Sequence, residues 1–310
     1  LKLVAFMEYL FHAMFSVMLF CMVFMLYPRA SISAKRIMAV LNTETSIENH
    51  PGNAQTDSGS GEHSVIFEHV DFVYPDGEEA VLKDISFSAK SGETVAFIGS
   101  TGSGKSSLIQ LIPRFYDRAS GNIYIDGQKI EDLDINALRS KIGFVPQKAH
   151  LFSGTIEENI RFGKPDATMD EIIHAAKIAQ AYDFIMEKPH QFQEQIVEGA
   201  TNVSGGQKQR LSIARALIRK PEIYIYDDSF SALDFKTDAR LRKALKPEIK
   251  NAIVFLVAQR VSTILDADKI VVLDEGKIAG IGTHRELLAS CPIYYEIAAS
   301  QLSKEELTYA

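Results

Sequence analysis

The chain has 310 residues, 46% of them hydrophobic, which is enough for one large domain or two smaller ones with a sizeable core. Its formal net charge is −7 and it has no long basic run, so it lacks the surface typical of nucleic-acid-binding proteins and we expect no nucleic-acid partner. The two cysteines, Cys21 and Cys291, match no metal-ligand spacing and give no disulfide framework, as is usual in a reducing compartment.

An apolar run is the first long element. Residues 9–27, YLFHAMFSVMLFCMVFMLY, contain no Asp, Glu, Lys or Arg, and a helix of about 19 residues spans close to the hydrocarbon core of a bilayer. The basic residues Arg29, Lys35 and Arg36 follow it and favour a cytoplasmic location for that side. We therefore predict a transmembrane helix. A buried helix of a soluble protein is the alternative, and a cleaved signal peptide fits less well.

The segments after this run are predicted to lead from the membrane into a folded domain. Residues 30–47 have the pattern of an amphipathic helix that continues the span, so residues 1–48 form one unit, a last membrane helix with its cytoplasmic extension. Residues 49–64, NHPGNAQTDSGSGEHS, have the composition of a linker. Because the first residue is Leu1 and not Met, we expect earlier membrane helices to precede this chain in a longer protein.

From Val65 onward the sequence alternates between strand and helix patterns. The runs VIFEHVDFVY and AVLKDISFSAK have strand-like alternation, and TVAFIG at 94–99 is a short apolar strand followed by a glycine-rich loop and the helical run SSLIQLIPRFY. Later apolar runs are typical of buried parallel strands, and they lie at 222–228, 252–258 and 269–276. We predict an α/β domain over residues 65–310, with a parallel core and a mostly helical insert at about 150–215.

The loop after strand 94–99 has the pattern of a phosphate-binding loop. Residues 99–107 are GSTGSGKSS, which contains Gly-x-x-x-x-Gly-Lys-Ser. The glycines let backbone N–H groups surround a phosphate chain, Lys105 can reach its terminal phosphates, and the hydroxyl of Ser106 can hold Mg²⁺. The start of the following helix also favours an anion. The residues predicted to bind nucleotide here are Gly99, Ser100, Thr101, Gly102, Ser103, Gly104, Lys105, Ser106 and Ser107.

Two further segments can complete a nucleotide site. In IYIYDD, Asp227 ends an apolar strand and is predicted to hold Mg²⁺, while Asp228 can polarise an attacking water; the alternative is a pair that caps a helix or turn. In NVSGGQKQR, residues 204–207 open a helix and offer a second anion site, although a plain N-cap has the same pattern. Two phosphate-binding segments in one chain suggest that two chains share each nucleotide.

With these three segments the sequence resembles the ATP-binding cassette family over residues 65 to about 300. The resemblance implies a P-loop NTPase fold with a parallel β core, an antiparallel β subdomain and a helical subdomain, here preceded by one transmembrane helix. It also implies ATP and Mg²⁺ as cofactors, and an exporter in which two such domains close on two ATP molecules and drive substrate across the membrane.

Within the resemblance, single residues acquire roles. Tyr74 matches the aromatic residue that stacks on adenine, and Gln147 matches the glutamine that contacts Mg²⁺ and senses the membrane domain. Glu198 falls near an acidic position typical of exporters, SALD at 231–234 matches the loop that contacts the other half of a dimer, and residues 274–287 resemble the end of an exporter domain. The signature that would contact the partner's ATP consists of Ser204, Gly205, Gly206 and Gln207.

Two catalytic positions depart from the family pattern. Asp228 stands where the family usually has Glu, and its carboxylate is set back by about 1.5 Å, a displacement that can cost on the order of a hundredfold in rate. Gln259 stands where the family usually has His, and it can donate a hydrogen bond to the γ-phosphate without carrying a positive charge. Val203 replaces the usual Leu of the signature. We hypothesise that the site on this chain's own loop binds ATP with little turnover.

The resemblance places the full-length protein in the plasma membrane as a multi-pass protein in contact with lipid, with its nucleotide-binding domain in the cytoplasm. We expect a heterodimer with a second half-transporter that carries the usual Glu and His. A symmetric homodimer with a slow ATPase and a regulatory subunit that never hydrolyses ATP are the alternatives. A soluble cassette ATPase or an importer subunit would lack the fused membrane run, and the transported substrate is not encoded in this stretch.

Overall fold

The computed structural model describes residues 2–49, 63–303 and 307. The chain divides into two compact units with the boundary after Glu48. The predicted linker at 49–64 lies almost wholly outside the described residues.

The first unit is built on one long helix, α1 (Lys2–Leu41), which contains the predicted apolar run. None of its residues is buried in the protein, and in the described part of the chain it is the one helix long and apolar enough to cross a membrane. The helix runs through Pro28 and ends before the expected limit at residue 47. The segment NTET after Leu41 explains the earlier end, because Asn and Thr have low helix propensity.

The second unit alternates strands and helices as predicted. Its strands are β1 (Ser64–Phe72), β2 (Leu82–Lys90), β3 (Thr94–Gly99), β4 (Ser120–Ile125), β5 (Gln128–Lys129), β6 (Ile142–Val145), β7 (Gly154–Thr155), β8 (Gln195–Ile196), β9 (Ile223–Asp227), β10 (Ile253–Val257), β11 (Lys269–Asp274) and β12 (Lys277–Gly282). Its helices are α2 (Lys105–Leu111), α3 (Ile135–Ser140), α4 (Ile156–Arg161), α5 (Met169–Ile178), α6 (Tyr182–Met186), α7 (Gly205–Leu217), α8 (Phe235–Glu248), α9 (His284–Ser290) and α10 (Pro292–Ala299). Short 3₁₀ segments lie at Gln191–Gln193, Glu198–Ala200 and Val261–Thr263.

The strands form a mixed six-stranded sheet and a four-stranded antiparallel sheet. The six-stranded sheet has the order β12-β11-β3-β10-β9-β6, and all its pairings are parallel except that of the edge strand β12 with β11. The four-stranded sheet has the order β2-β1-β4-β5. A short β7–β8 pair and helices α4 to α7 form the helical insert. The predicted α/β fold, with its parallel core and its antiparallel and helical parts, is confirmed.

The six-stranded sheet is covered on both faces, so its central strands lack alternation. Val95 and Phe97 of β3 face a core shared with the four-stranded sheet and α2. Ala96 and Ile98 face a second core shared with α5, α7 and α8. Because both sets are buried, β3 reads as an unbroken apolar run, which is typical of a parallel strand between two layers. The fold therefore holds the carboxyl ends of β3 and β9 in a rigid frame.

Helices α9 and α10 close the described part of the second unit around a buried histidine. His284, the first residue of α9, bonds through Nδ1 to the hydroxyl of Tyr294 at 2.7 Å. Its other ring nitrogen, Nε2, is buried and has no hydrogen-bond partner within the described ranges. Burial, with a smaller effect from the charge of Arg285, lowers the pKa of His284. Burial therefore favours the neutral imidazole.

Candidate functional site

The phosphate loop joins β3 to α2 with its backbone held close to neighbouring strands. A Cβ on Gly99 would lie 2.0 Å from the carbonyl oxygen of Leu273, so only glycine fits there. Gly104, the N-cap of α2, has φ +96°, and a Cβ on it would lie 2.6 Å from Leu82 Cδ2. Apart from its chain neighbours, no atom of the described residues lies within 4 Å of a Cβ placed on Gly102. The loop is therefore fixed at its two ends and open in the middle, where its N–H groups can receive an anion.

Lys105 lies across this loop. Its ammonium donates to the carbonyl oxygens of Gly99 at 2.9 Å and Ser100 at 2.7 Å, and to Ser103 Oγ at 3.2 Å. Burial lowers the pKa of Lys105, and the charges of Asp228 and Asp227 act in the opposite direction. All three bonded acceptors are neutral, so a phosphate would give the ammonium a stronger, charged acceptor.

Ser106 and Asp227 lie together beside the loop. Ser106 Oγ donates to Asp227 Oδ1 at 3.0 Å, and Asp227 is the last residue of the fully buried strand β9. Burial raises the pKa of Asp227 and the charge of Asp228 adds to the effect, while Ser106 and Lys105 oppose it. A hydroxyl and a carboxylate are oxygen ligands of the kind Mg²⁺ prefers, and a cation would offset the repulsion between the adjacent carboxylates. These residues fit the predicted magnesium site.

The three predicted catalytic residues meet at one carboxylate oxygen. Asp228 Oδ2 accepts hydrogen bonds from Gln147 Nε2 at 3.1 Å and from Gln259 Nε2 at 2.7 Å. Asp228 is buried and has φ +47°, and its N–H donates to the carbonyl of Val257 at 3.0 Å. We call Gln147, Asp228 and Gln259 the amide clamp. Gln147 was predicted to contact Mg²⁺, and its side-chain amide here is bonded to Asp228.

Tyr74 lies beside α2 in an aromatic cluster. Its hydroxyl bonds to Ser107 Oγ at 2.9 Å, and its ring meets Phe72 and Tyr116 edge to face, with centroids 4.7 and 5.1 Å away. Ser107, predicted to bind phosphate, is thus the partner of Tyr74. Tyr116 was not predicted, and the only sequence signal for it is its aromatic type just after the loop helix.

The signature segment caps helix α7. Ser204 Oγ accepts from the N–H of Gln207 at 3.3 Å, and Gln207 Oε1 accepts from the N–H of Ser204 at 3.0 Å, which is a capping box. Gly205 is open around its Cβ position, and a Cβ on Gly206 would lie 3.2 Å from the carbonyl oxygen of Ala232 in the SALD segment. In the described ranges no hydrogen bond joins residues 204–207 to the phosphate loop, so this chain does not combine its two predicted anion sites.

Sequence reasoning missed several polar residues that support the site. Gln209, buried in α7, donates to the carbonyl of Pro146 at 3.1 Å, directly before Gln147. Gln301, after α10, donates to the carbonyl of Gln259 at 2.9 Å and accepts from the N–H of Val261 at 2.8 Å. The pairs are 63, 42 and 40 residues apart in the sequence. Of these residues, only Gln209 could have been recognised from the sequence, because it is a glutamine among the residues of α7 that are buried.

Comparison with known proteins gives consistent matches. A family model described as ABC transporter matches residues 82–231. The chain is 45% identical over 287 residues to YfiB, an uncharacterized ABC transporter ATP-binding protein of Bacillus subtilis, covering 93% of this chain and 49% of that protein. It is 48% identical over 237 residues to a putative multidrug export ATP-binding/permease protein of Staphylococcus aureus, covering 76% of this chain and 41% of that protein.

Among solved structures, the chain is similar to a bacterial Atm1-family ABC exporter with ATP bound. The TM-score is 0.84 and the sequence identity is 34%, with 91% of this chain and 49% of that chain covered. The chain spans about half the length of the relatives that it matches.

Proposed function

The nucleotide-binding domain of this chain belongs to the ABC transporter family, and from this premise we propose that the chain is the ATP-binding part of an ABC exporter. The convergence of Lys105, the Ser106–Asp227 pair and the amide clamp at one end of the parallel sheet carries the proposal. ATP binding and closure of two such domains would move substrate across the membrane. The similarity to a putative multidrug export protein and to an Atm1-family exporter supports export as the direction.

In this proposal the residues of the chain bind ATP and orient it for reaction. Loop N–H groups hold the phosphates, Lys105 exchanges its carbonyl acceptors for phosphate oxygens, and the ring of Tyr74 stacks on the base. Ser106, Asp227 and Gln147 would hold Mg²⁺, which neutralises charge on the β- and γ-phosphates. Asp228 orients the attacking water, and Gln259 directs a second N–H of its amide toward the γ-phosphate.

We propose that this site turns ATP over slowly. The carboxylate of Asp228 is one methylene short of a glutamate, and its Oδ2 already accepts two amide hydrogen bonds. These two bonds occupy the acceptor positions of the oxygen that would otherwise bind the attacking water. Gln259 brings no positive charge to the γ-phosphate. The site can therefore bind ATP firmly while lacking the strongest catalytic groups.

The weak catalytic residues of this site indicate which kind of partner the chain needs. We propose a heterodimer in which the second half-transporter has Glu and His at the equivalent positions, while Ser204 to Gln207 of this chain complete that competent site. Gly205 is exposed, and the Ser204 hydroxyl donates to no acceptor within the described part of the chain, so both suit contact with a phosphate from another chain. Helix α1 would be the last membrane helix of a multi-pass plasma-membrane protein, with the nucleotide-binding domain in the cytoplasm.

The test is the double replacement Asp228→Glu with Gln259→His in the full-length assembled transporter. We expect ATP turnover at this chain's own site, measured as the labelled product that vanadate traps on this chain, to rise by about tenfold or more, because a displacement of about 1 Å at a catalytic group can cost up to a hundredfold. ATP affinity is the control. It should change little, because in this proposal it depends on Lys105 and Tyr74. Unchanged turnover would contradict the slow-site proposal.

A regulatory subunit that binds ATP without hydrolysis is the second candidate, and the double amide contact on Asp228 favours it. Vanadate trapping with labelled ATP distinguishes the two functions, because only a hydrolysing site retains the product. Label retained on this chain would support slow hydrolysis, and label retained only on the partner chain would support regulation.

A further inference from the structure

The segment that follows α10 returns to the loop that carries Gln259. Gln301 lies just after α10, and its side-chain amide makes two bonds to this loop's backbone. Its Oε1 accepts from the N–H of Val261 at 2.8 Å, and its Nε2 donates to the carbonyl of Gln259 at 2.9 Å. The two partners fix the orientation of the amide, because only the oxygen can accept and only the nitrogen can donate. One side chain thus spans the backbone on both sides of Arg260.

Both ends of this contact are fixed by packing. On the helix side, Tyr294 and Ala298 of α10 are fully buried, and the N–H of Gln301 donates to the carbonyl of Ala298 at 3.0 Å. On the loop side, Val261 is fully buried and the N–H of Ala258 donates to the carbonyl of Phe97 at 3.1 Å. Between these fixed points the backbone carbonyl of Gln259 is bonded to Gln301. The amide of Gln301 therefore sets the backbone orientation from which the Gln259 side chain starts.

From Gln259 the contacts continue into the amide clamp. Gln259 Nε2 donates to Asp228 Oδ2 at 2.7 Å, which is the shorter of the two amide bonds on that oxygen. A small rotation of the Gln259 peptide moves a side chain of this length by more than a hydrogen bond tolerates. A continuous path of two hydrogen bonds thus leads from the C-terminal segment to the residue proposed to orient water.

We propose that Gln301 is a positioning residue for the ATP site: it holds the backbone at Gln259 so that the Gln259 amide reaches both Asp228 and the γ-phosphate. This inference rests on the proposed role of Gln259 as a γ-phosphate contact. It couples the docking of α10 to the ability of the site to distinguish ATP from ADP, since the γ-phosphate is the only group by which the two nucleotides differ.

The experiment uses the full-length protein with its partner, labelled on this chain by 8-azido-ATP in EDTA so that no turnover occurs. Competition by ATP and by ADP gives the preference of this site for ATP over ADP. Gln301→Met keeps the length and packing of the side chain and removes both hydrogen bonds. We expect it to lower the preference several-fold, as Gln259→Ala does, and the double variant to show no further loss.

The matched control is Ser300→Ala, which should leave the preference unchanged. Ser300 is a neighbouring exposed residue whose hydroxyl donates to the carbonyl of Ile297 in α10. Hydrogen exchange of the peptide containing Val261 should be faster in Gln301→Met and in a second variant, Gln301→Ala. The thermal unfolding midpoint of each variant reports whether the fold is intact.

The remaining outcomes separate two kinds of failure. If Gln259→Ala lowers the ATP preference and neither Gln301 variant does, the positioning role is wrong and the proposed function stands. If the losses from Gln259→Ala and Gln301→Met add, Gln301 acts by another route and the inference is also wrong. If Gln259→Ala has no effect, the γ-phosphate role of Gln259 is wrong, and the positioning role that depends on it is wrong as well.

Discussion

At Tyr74 the ring and the hydroxyl make separate contacts. The hydroxyl bonds to Ser107, so the ring face is what remains for adenine. Stacking of a base on an aromatic side chain contributes about 1–3 kcal/mol. We expect Tyr74→Ala to weaken ATP binding by about tenfold or more, and Tyr74→Phe to change it by less than about twofold. Titration with a fluorescent ATP analogue measures both. Equal losses in the two variants would mean that the hydroxyl, and not the ring, carries the contact.

The ammonium of Lys105 lies against the phosphate loop, where it donates to the carbonyl oxygens of Gly99 and Ser100. Its removal by Lys105→Met takes away a charge-assisted bond to phosphate, and such bonds contribute about 1.5–3 kcal/mol. We therefore expect ATP affinity to fall by about tenfold to a hundredfold, measured in the same titration. Lys243→Ala, an exposed lysine on α8, is the control and should leave the affinity unchanged. A Lys105 variant that bound ATP normally would contradict the assignment of the phosphate loop.

At the scale of an element, strand β9 contains a tyrosine hydroxyl buried in the hydrophobic core. Tyr226 is 1% exposed, and its hydroxyl has no hydrogen-bond partner among the residues that the structure describes. An unsatisfied buried hydroxyl costs about 1–3 kcal/mol. We expect Tyr226→Phe to leave the free energy of unfolding unchanged or to raise it by up to that amount. Tyr226→Ala should lower it by about 3–5 kcal/mol because it leaves a cavity. Denaturant unfolding measures the free energy of unfolding of both variants. A marked decrease in Tyr226→Phe would show that the hydroxyl makes a hydrogen bond.

The α9–α10 pair predicts a dependence of stability on pH. Burial lowers the pKa of His284 below its unfolded value of about 6.5, so the unfolded chain binds a proton more readily than the folded one. The contribution to stability is fully present above pH 6.5 and is lost as pH falls through the lower, folded pKa.

We therefore expect the thermal unfolding midpoint to fall as the pH is lowered below about 6.5, and His284→Gln to flatten this part of the curve. His190→Gln, at an exposed histidine, is the matched control and should keep the slope. An unchanged slope in His284→Gln would assign the pH dependence to another group.

These elements also show what the sequence could and could not predict. Strands β3, β9, β10 and β11 were predicted because unbroken apolar runs between turn residues leave few alternatives, and the phosphate loop because its spacing is specific. The helix predicted over SSLIQLIPRFY ends earlier, at Leu111, because Pro113 disfavours helical backbone in the residue before it. The left-handed backbone of Asp228 left no signal beyond the tolerance of Asp for that conformation.

Contacts between distant parts of the chain were beyond sequence reasoning. Asp228 meets Gln147 and Gln259 across 81 and 31 residues of sequence, and family resemblance brought these residues to one site without giving their hydrogen bonds. Gln301 was missed because an exposed glutamine near a chain terminus has no pattern that distinguishes it. Such contacts depend on how helices dock, which a single sequence specifies only through the whole fold.

At the scale of the whole molecule, the composition of the complex tests the proposed asymmetry. The intact mass of the full-length protein, purified from its native membrane, should correspond to this chain with a second, different half-transporter. That partner's sequence should then carry Glu and His where this chain has Asp228 and Gln259. A complex of two identical chains would place the same residues in both ATP sites and would favour a slow, symmetric exporter.

The amide clamp also has a consequence for how substitutions at the site combine. Asp228 and Gln259 are bonded at 2.7 Å, so a change in the length or charge of one alters the fit of the other. Substitutions in direct contact are not additive. Asp228→Glu alone would crowd the side-chain amides of Gln147 and Gln259. Gln259→His alone would place an imidazole opposite a carboxylate whose distance suits an amide. Each single replacement toward the common family pair therefore gives a mismatched site, and only the double replacement restores a matched pair.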